Sequence, residues 1–249
     1  MRITVECLPG LPEIRPGDDL VGLALAAWPG VGCADGDILV LAQKIVSKAE
    51  DRIVNLGSVT ASAEATRLGE ICGKDARLVE LILQESQTVM RAVPGVLIVR
   101  HRLGMVMANA GIDQSNVGLG PEDVLLLPED SDKSASTLLD QLQHQTAKNL
   151  GVIIADSFGR AWRHGTCGVA IGSAGVTALR SMTGTSDLHG RILQHTEIGT
   201  ADEIAAMASL AMGQGAEGTP AALVRGAGAF LGQGRAQDLV RPVDQDLFP

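Results

Sequence analysis

The 249-residue chain has no tyrosine, two tryptophans and three phenylalanines. So few rings exclude stacking platforms for nucleobases and interfaces built on aromatic anchors. The core must then be leucine, valine, isoleucine and alanine. Acidic residues outnumber basic ones 29 to 20, for a net charge of −9. Such a balance repels a phosphate backbone, so no nucleic-acid partner is expected. No apolar run reaches the roughly 18 residues of a membrane span, and no membrane partner is expected. The opening MRITVECLPG carries Glu6 where a secretory leader would be apolar. Cys7, Cys33, Cys72 and Cys167 form no CxxC pair and show no zinc-ligand spacing. Read as free thiols, they imply a cytoplasmic protein. There is no GxxxxGK[ST] loop, no GxSxG elbow and no GxGxxG between a strand and a helix.

What is present is globular: 45% hydrophobic and 20% charged residues, in a chain long enough to need no disulfide or structural metal. Solid apolar runs predict buried strands at Asp37–Ala42 and Gly151–Ala155. Shorter strands are expected at Arg2–Glu6, Val96–Arg100, Leu103–Ala108, Val124–Leu127 and Ala221–Arg225. Helical spacing marks Ala63–Gly73, Leu78–Gln87 and Ser136–Asn149, and a helix capped by Asp18 or Asp19 runs to Ala27. Thr200–Met212 reads as a helix with Thr200 as its cap and Glu203 closing a capping box. The tail after Gly226 is Gly-rich, then polar, and is expected to fray. The class is α/β of the mixed α+β kind, in one domain over residues 1–249 or two intertwined subdomains with no visible boundary.

Three polar stretches follow apolar strands directly, where α/β proteins place ligand groups. Gln43–Lys48 offers lysines for phosphate, or simply two solvated lysines on a loop or helix start. Asn109–Asn116 supplies Asp113, Ser115 and Asn116 as oxygen ligands for a hard cation, or an Asx-turn. Asp156–Arg163 places an aspartate and a hydroxyl at a strand end, or a helix cap with surface arginines. Two aspartates at neighbouring strand ends can hold two divalent ions on a triphosphate. Arg160 and Arg163 are candidates for anionic substrate groups.

At these stretches the chain resembles the coenzyme F420-0:L-glutamate ligase family, the gamma-glutamyl ligases of deazaflavin biosynthesis. GLPEIRPGDDL at Gly10–Leu20, DILVLAQKIVSKAE at Asp37–Glu50 and GMVMANAGIDQSNV at Gly104–Val117 carry the likeness. LLPEDSDKSA at Leu126–Ala135, DSFGRAWRHG at Asp156–Gly165, VAIGSAG at Val169–Gly175 and AMGQ at Ala211–Gln214 extend it, in order, along nearly the whole chain.

The resemblance implies a family-specific fold of mixed sheets with flanking helices, neither P-loop nor Rossmann. It implies that L-glutamate is joined to F420-0 with GTP, through an acyl phosphate, releasing GDP and phosphate. Further glutamates are an open extension. It implies two divalent ions, Mn²⁺ or Mg²⁺, with K⁺ as an optional accessory, and a homodimer. Carried over by residue, Asp113 and Asp156 are the metal-bridging, catalytic carboxylates, and Ser157 and Gln214 further metal ligands. Gln43, Lys48 and Asn116 match nucleotide-contacting positions, Lys48 also helping the transfer. Leu11, Pro12, Glu13 and Ile14 match further nucleotide contacts. So do Met212, Gly213, Gln214, Gly215, Ala216, Glu217, Gly218 and Thr219. The pattern departs from the family at His164-Gly165-Thr166-Cys167 and at Leu179–Gly184, which leaves the acceptor open. The flavin-binding second domain of some relatives is not expected. A metal-dependent phosphohydrolase or a non-catalytic GTP binder are the competing readings.

Overall fold

The computed structural model describes residues 1–28, 32–115, 117 and 120–246. In chain order its elements are β1 (Thr4–Cys7), α1 (Leu20–Ala27), β2 (Ile38–Ala42), α2 (Gln43–Ala49), β3 (Ile53–Asn55), α3 (Ala63–Cys72), α4 (Ala76–Gln84), β4 (Ser86–Val93), β5 (Val96–His101) and β6 (Val106–Ala108). There follow β7 (Asp123–Leu125), α5 (Ser131–Thr146), β8 (Gly151–Arg160), β9 (Arg163–Ala174), β10 (Leu179–Ser181), β11 (Glu197–Gly199), α6 (Thr200–Met212) and β12 (Ala221–Arg225). The expected mixed α/β class is observed.

One five-stranded sheet, in the order β1-β12-β2-β8-β9, organises the molecule. Only β2 and β8 run parallel, in register from Ile38 opposite Gly151 to Ala42 opposite Ala155. Being interior strands, both are apolar on both faces, which is why their sequences read as unbroken hydrophobic runs. Leu39, Leu41, Val152 and Ile154 join a core with α1 and α5. Ile38, Val40, Ile153 and Ala155 face Ile204, Ala205 and Ala208 of α6 in a second core. Each such valine, leucine or isoleucine removed from water contributes roughly 1.5–3 kcal/mol before chain entropy is counted. A third cluster lies between β3 and β7 in the chain and joins Leu68, Val79, Ile82, Leu97 and Val99.

Local signals explain most of the ends. Asp19 caps α1 by accepting from Gly22 N, and Asp130 caps α5 by accepting from Lys133 N. Four expectations need correcting. The helix expected over Leu78–Gln87 stops at Gln84, because Ser86 and Gln87 enter β4 and pair towards β5. Thr200 does not cap α6; Gly199 occupies that position, and the Thr200 hydroxyl is buried without a hydrogen-bond partner. The chain enters α6 straight from β11, so Thr200 is drawn inside the first turn. Asp156 ends neither a strand nor a loop: β8 runs on to Arg160 and turns at Ala161–Trp162 into β9. No helix follows it. The tail does not simply fray: the Asp132 carboxylate accepts from Ser173 N, Ala236 N and Gln237 N, fastening short helical turns along β9.

Candidate functional site

A cleft of about 660 Å³ opens where the parallel pairing of β2 with β8 ends, at Ala42 and Ala155. This is the end where parallel strands leave side chains and backbone groups unclaimed by the sheet. Its volume suits a nucleotide-sized ligand. The lining brings together Leu11–Ile14, Gln43, Lys48, Asp113, Asp156, Ser157 and Met212–Thr219, and adds Lys44, Thr166 and Ser209. Of the residues nominated from sequence, Asn116 lies outside the described ones. Arg160 and Arg163 are not in the lining: both are exposed at the outer end of the β8–β9 hairpin, and Arg160 donates to the His164 carbonyl.

Asp156 lies one residue past the last pair of β8 with β2, just beyond a register shift between β8 and β9 at Ile154 and Ala155. Its carboxylate accepts from Ser157 N at 2.7 Å. Asp113 arrives by a less regular route. After β6 the consecutive residues Asn109, Ala110 and Gly111 have φ of 53°, 53° and 68°. A left-handed turn costs of order 1–2 kcal/mol per non-glycine residue. At Gly111 a side chain would also meet Leu127 at 3.0 Å. The turn sends Asp113 back alongside Leu125, where both backbone groups pair at 2.9 Å.

The first turns of α2 hold Asp113 in place. Gln43, almost fully buried, donates through Nε2 to the Asp113 carboxylate and accepts from Ser47 Oγ at 2.9 Å. Lys44 Nζ lies 3.1 Å from the other carboxylate oxygen. Lys44 and Lys48 are four residues apart and share the cleft side of α2. The reading of these as two solvated lysines is therefore replaced by one ion-paired lysine and one buried lysine. Nothing in sequence chose Lys44 over Lys48 as the partner of Asp113.

The electrostatics follow from that crowding. Burial raises the Asp113 carboxyl above the ordinary value, with Lys44 and Gln43 opposing. Burial, reinforced by the negative charge of Asp113, pushes Asp156 up to about 7. Burial lowers the Lys48 ammonium, with Glu13 of the N-terminal loop pulling the other way. Two carboxylates forced together away from water call for a cation. Ser157 and Gln214 line the same cleft with neutral oxygens, and together these residues offer hard donors of the kind Mg²⁺ and Mn²⁺ take. Among the described residues no group of three or more His, Cys, Asp or Glu is arranged to hold a metal ion.

The far wall is the loop after α6. Thr219 Oγ1 donates to the Met212 carbonyl at 2.8 Å, and Glu217 accepts from Gly215 N at 2.7 Å. Thr166 of β9 donates to Gln214 Oε1, and Gln214 Nε2 donates to Ser209 Oγ at 3.2 Å. Sequence reasoning missed Ser209, and named Thr166 only as part of the segment that departs from the family pattern; no spacing signal marks either.

A larger cleft, about 860 Å³, lies across α2 and is lined by Val46, Glu50, Asp130, Lys133 and Leu138 among others. Its polar groups are mostly committed to local structure. Asp18 accepts from Arg15 N, Asp19 and Asp130 cap helices, and Arg102 binds Glu85 and nearby carbonyls.

The F420-0:gamma-glutamyl ligase family model matches residues 10–226. The coenzyme F420:L-glutamate ligase of Methanothermobacter thermautotrophicus is 43% identical over 252 residues, covering 100% of this chain and 99% of that one. Its namesake from Archaeoglobus fulgidus is 42% identical over 248 residues, covering 100% and 97%. That of Methanocaldococcus jannaschii is 37% identical over 239 residues, covering 96% and 94%. With likeness running through every segment that builds the cleft, this chain belongs to the F420-0:gamma-glutamyl ligase family.

Proposed function

We propose that this protein is a GTP-dependent ligase that adds L-glutamate to coenzyme F420-0. The observation that carries the reading is the meeting of Asp113 and Asp156 beside Lys44 and Lys48 in one cleft, within a chain of this family. A free carboxylate is a poor acylating agent, so it must first be activated. An oxygen of the F420-0 carboxylate attacks the γ-phosphorus of GTP, the bond to the β-phosphate oxygen breaks, and GDP leaves. The amine of glutamate, as the free base, then attacks the acyl phosphate carbon, the carbon–oxygen bond to phosphate breaks, and inorganic phosphate departs with the bonding electrons and the proton shed by the nitrogen.

The residues have distinct tasks in that scheme. Asp113, Asp156, Ser157 and Gln214 would hold two divalent ions, Mn²⁺ or Mg²⁺, which when bound spread the charge of the triphosphate. Lys48 supplies a compact positive charge to the phosphates, and Gln43 and Lys44 keep Asp113 oriented. The N-terminal loop, Leu11–Ile14, and the Met212–Thr219 loop embrace the nucleotide from opposite walls. A homodimer fits the reading: the β8–β9 hairpin tip exposes Trp162 and the β10–β11 arm exposes Leu188, 87% and 100% accessible. A cytoplasmic setting accords with the four cysteines, all free here. Among the described residues no helix is long and apolar enough to cross a membrane.

Mass spectrometry tests this directly. Purified protein with F420-0, L-glutamate, GTP and Mn²⁺ is expected to yield the precursor mass plus one or more glutamyl units, with GDP. GDP without glutamyl product would replace the ligase with a phosphohydrolase, and nucleotide binding with neither product would replace it with a non-catalytic binder.

A further inference from the structure

The His164–Cys167 segment, where the chain departs from the family pattern, holds one residue inside the cleft: Thr166. On the β8–β9 hairpin Thr166 lies opposite Gly159, and Ser157 lies opposite Gly168. Thr166 and Ser157 are therefore diagonal neighbours on one face of the hairpin. That face looks at α6. A side chain at Gly168 would run into Ser209 and the Ala205 carbonyl, so only glycine lets α6 approach this closely. The approach brings the nearly buried Ser209 within reach of Gln214.

Gln214 is thus tethered at both ends of its carboxamide. Thr166 donates to Oε1, and Nε2 donates to Ser209. Two hydrogen bonds from two different elements fix the terminal rotation of a side chain that carries it on an irregular loop. They also set the sense of the carboxamide: the carbonyl oxygen, an acceptor, turns to Thr166, the diagonal neighbour of Ser157 on the hairpin, and the amide hydrogens turn to Ser209. A carbonyl oxygen has two lone pairs, so it accepts from Thr166 and still has one to offer.

We propose that Thr166 and Ser209 are positioning residues that aim the Gln214 oxygen into the cation-binding part of the cleft. The inference rests on the reading of Gln214 as a ligand for a divalent ion. Partners of this kind typically change metal affinity by 10–100-fold without touching the metal. Thr166 acts through Gln214, because its hydroxyl proton is given to Oε1.

The test is Mn²⁺ binding by calorimetry and by electron paramagnetic resonance, with GDP present and no turnover. Thr166→Val, which keeps the shape and removes the hydroxyl, is expected to weaken Mn²⁺ binding about tenfold, while Thr166→Ser restores it. In the Gln214→Ala background Thr166→Val is expected to do nothing more. In turnover assays the apparent KM for Mn²⁺ rises in Thr166→Val and kcat recovers at saturating metal. If Gln214→Ala weakens Mn²⁺ binding and Thr166→Val does not, the positioning role is overturned and the ligand role of Gln214 stands. If Asp113→Asn weakens binding and Gln214→Ala leaves it unchanged, the ligand role of Gln214 falls and the positioning role with it. An additive loss in the double variant would show Thr166 acting independently of Gln214, and overturns the proposal.

Discussion

The two sides of α2 present two clefts of unlike character. The one behind the helix is the larger, about 860 Å³ against 660 Å³, and it contains more carboxylates. Yet Asp18, Asp19 and Asp130 there are engaged with backbone amides that would otherwise be unpaired. In front of the helix Asp113 and Asp156 face each other's charge, and Asp156 has its neighbour's amide and the more distant Lys44 charge for relief. Size and acidity do not distinguish a site; polar groups held against their own preference do. The same short helix serves both sides, with Gln43, Lys44 and Lys48 forward and Val46, Ala49 and Glu50 behind.

The largest expected effect breaks that comparison at its centre. Asp113→Asn and Asp156→Asn should each lower glutamyl transfer by at least about 10³-fold, while circular dichroism shows the fold retained. A near-normal rate in either variant, measured by product mass, would remove the forward cleft from the chemistry.

Next comes pH. The folded-state pKa of Asp156 is raised to about 7 from the ordinary 3.8, so the folded chain holds a proton that the unfolded chain has lost. In metal-free protein, stability is therefore expected to fall as pH rises from about 4 to about 7. Thermal melts should show this drop, Mn²⁺ should reverse it, and Asp156→Asn should flatten it. A melt temperature flat over that interval without metal would contradict the crowding described here. Lys44→Met removes the cation that stabilises both carboxylates, so the acid limb of the pH–rate profile is expected to move to higher pH.

Smaller effects probe the supports. Gly111→Ala puts a side chain at φ 68° and 3.0 Å from Leu127, and should cost about 1–3 kcal/mol in denaturant unfolding. The rear cleft supplies the contrast. Glu50 sits there with its carboxyl raised by burial, offset by Ser134 and Arg52. Glu50→Gln should leave glutamyl transfer unchanged and shift the melting temperature by less than about 2 °C. A loss of activity in that variant would mean that both sides of α2 serve the reaction.

Legibility in the sequence varied with how local the cause was. β2 and the start of β8 could be read because a strand buried on both faces must be apolar throughout. The cap at Asp19 could be read because a side chain and its target amide lie three residues apart. The length of β8 beyond Asp156 could not, since Ser157–Arg160 are held as a strand by pairing to β9, and nothing in their own composition demands it. Thr200 misled for the same reason: β10 pairing with β11 sets where α6 begins. In the site, the polar stretches after apolar strands pointed to Asp113, Asp156 and the α2 lysines, and the family likeness added Gln214 and the N-terminal loop.

The sequence by itself determined the elements whose hydrogen bonds and burial close within a few residues, and the identity of the groups that carry charge. Only the tertiary structure decided which of those groups meet. Asp113 reaches Asp156 across a left-handed turn, Lys44 takes Asp113 while Lys48 is left to the cleft, and Thr166 and Ser209 close on Gln214 from two elements packed through Gly168. Each of these is a contact between segments far apart in the chain, set by how the sheet, α2 and α6 pack, and no periodicity within either segment records it.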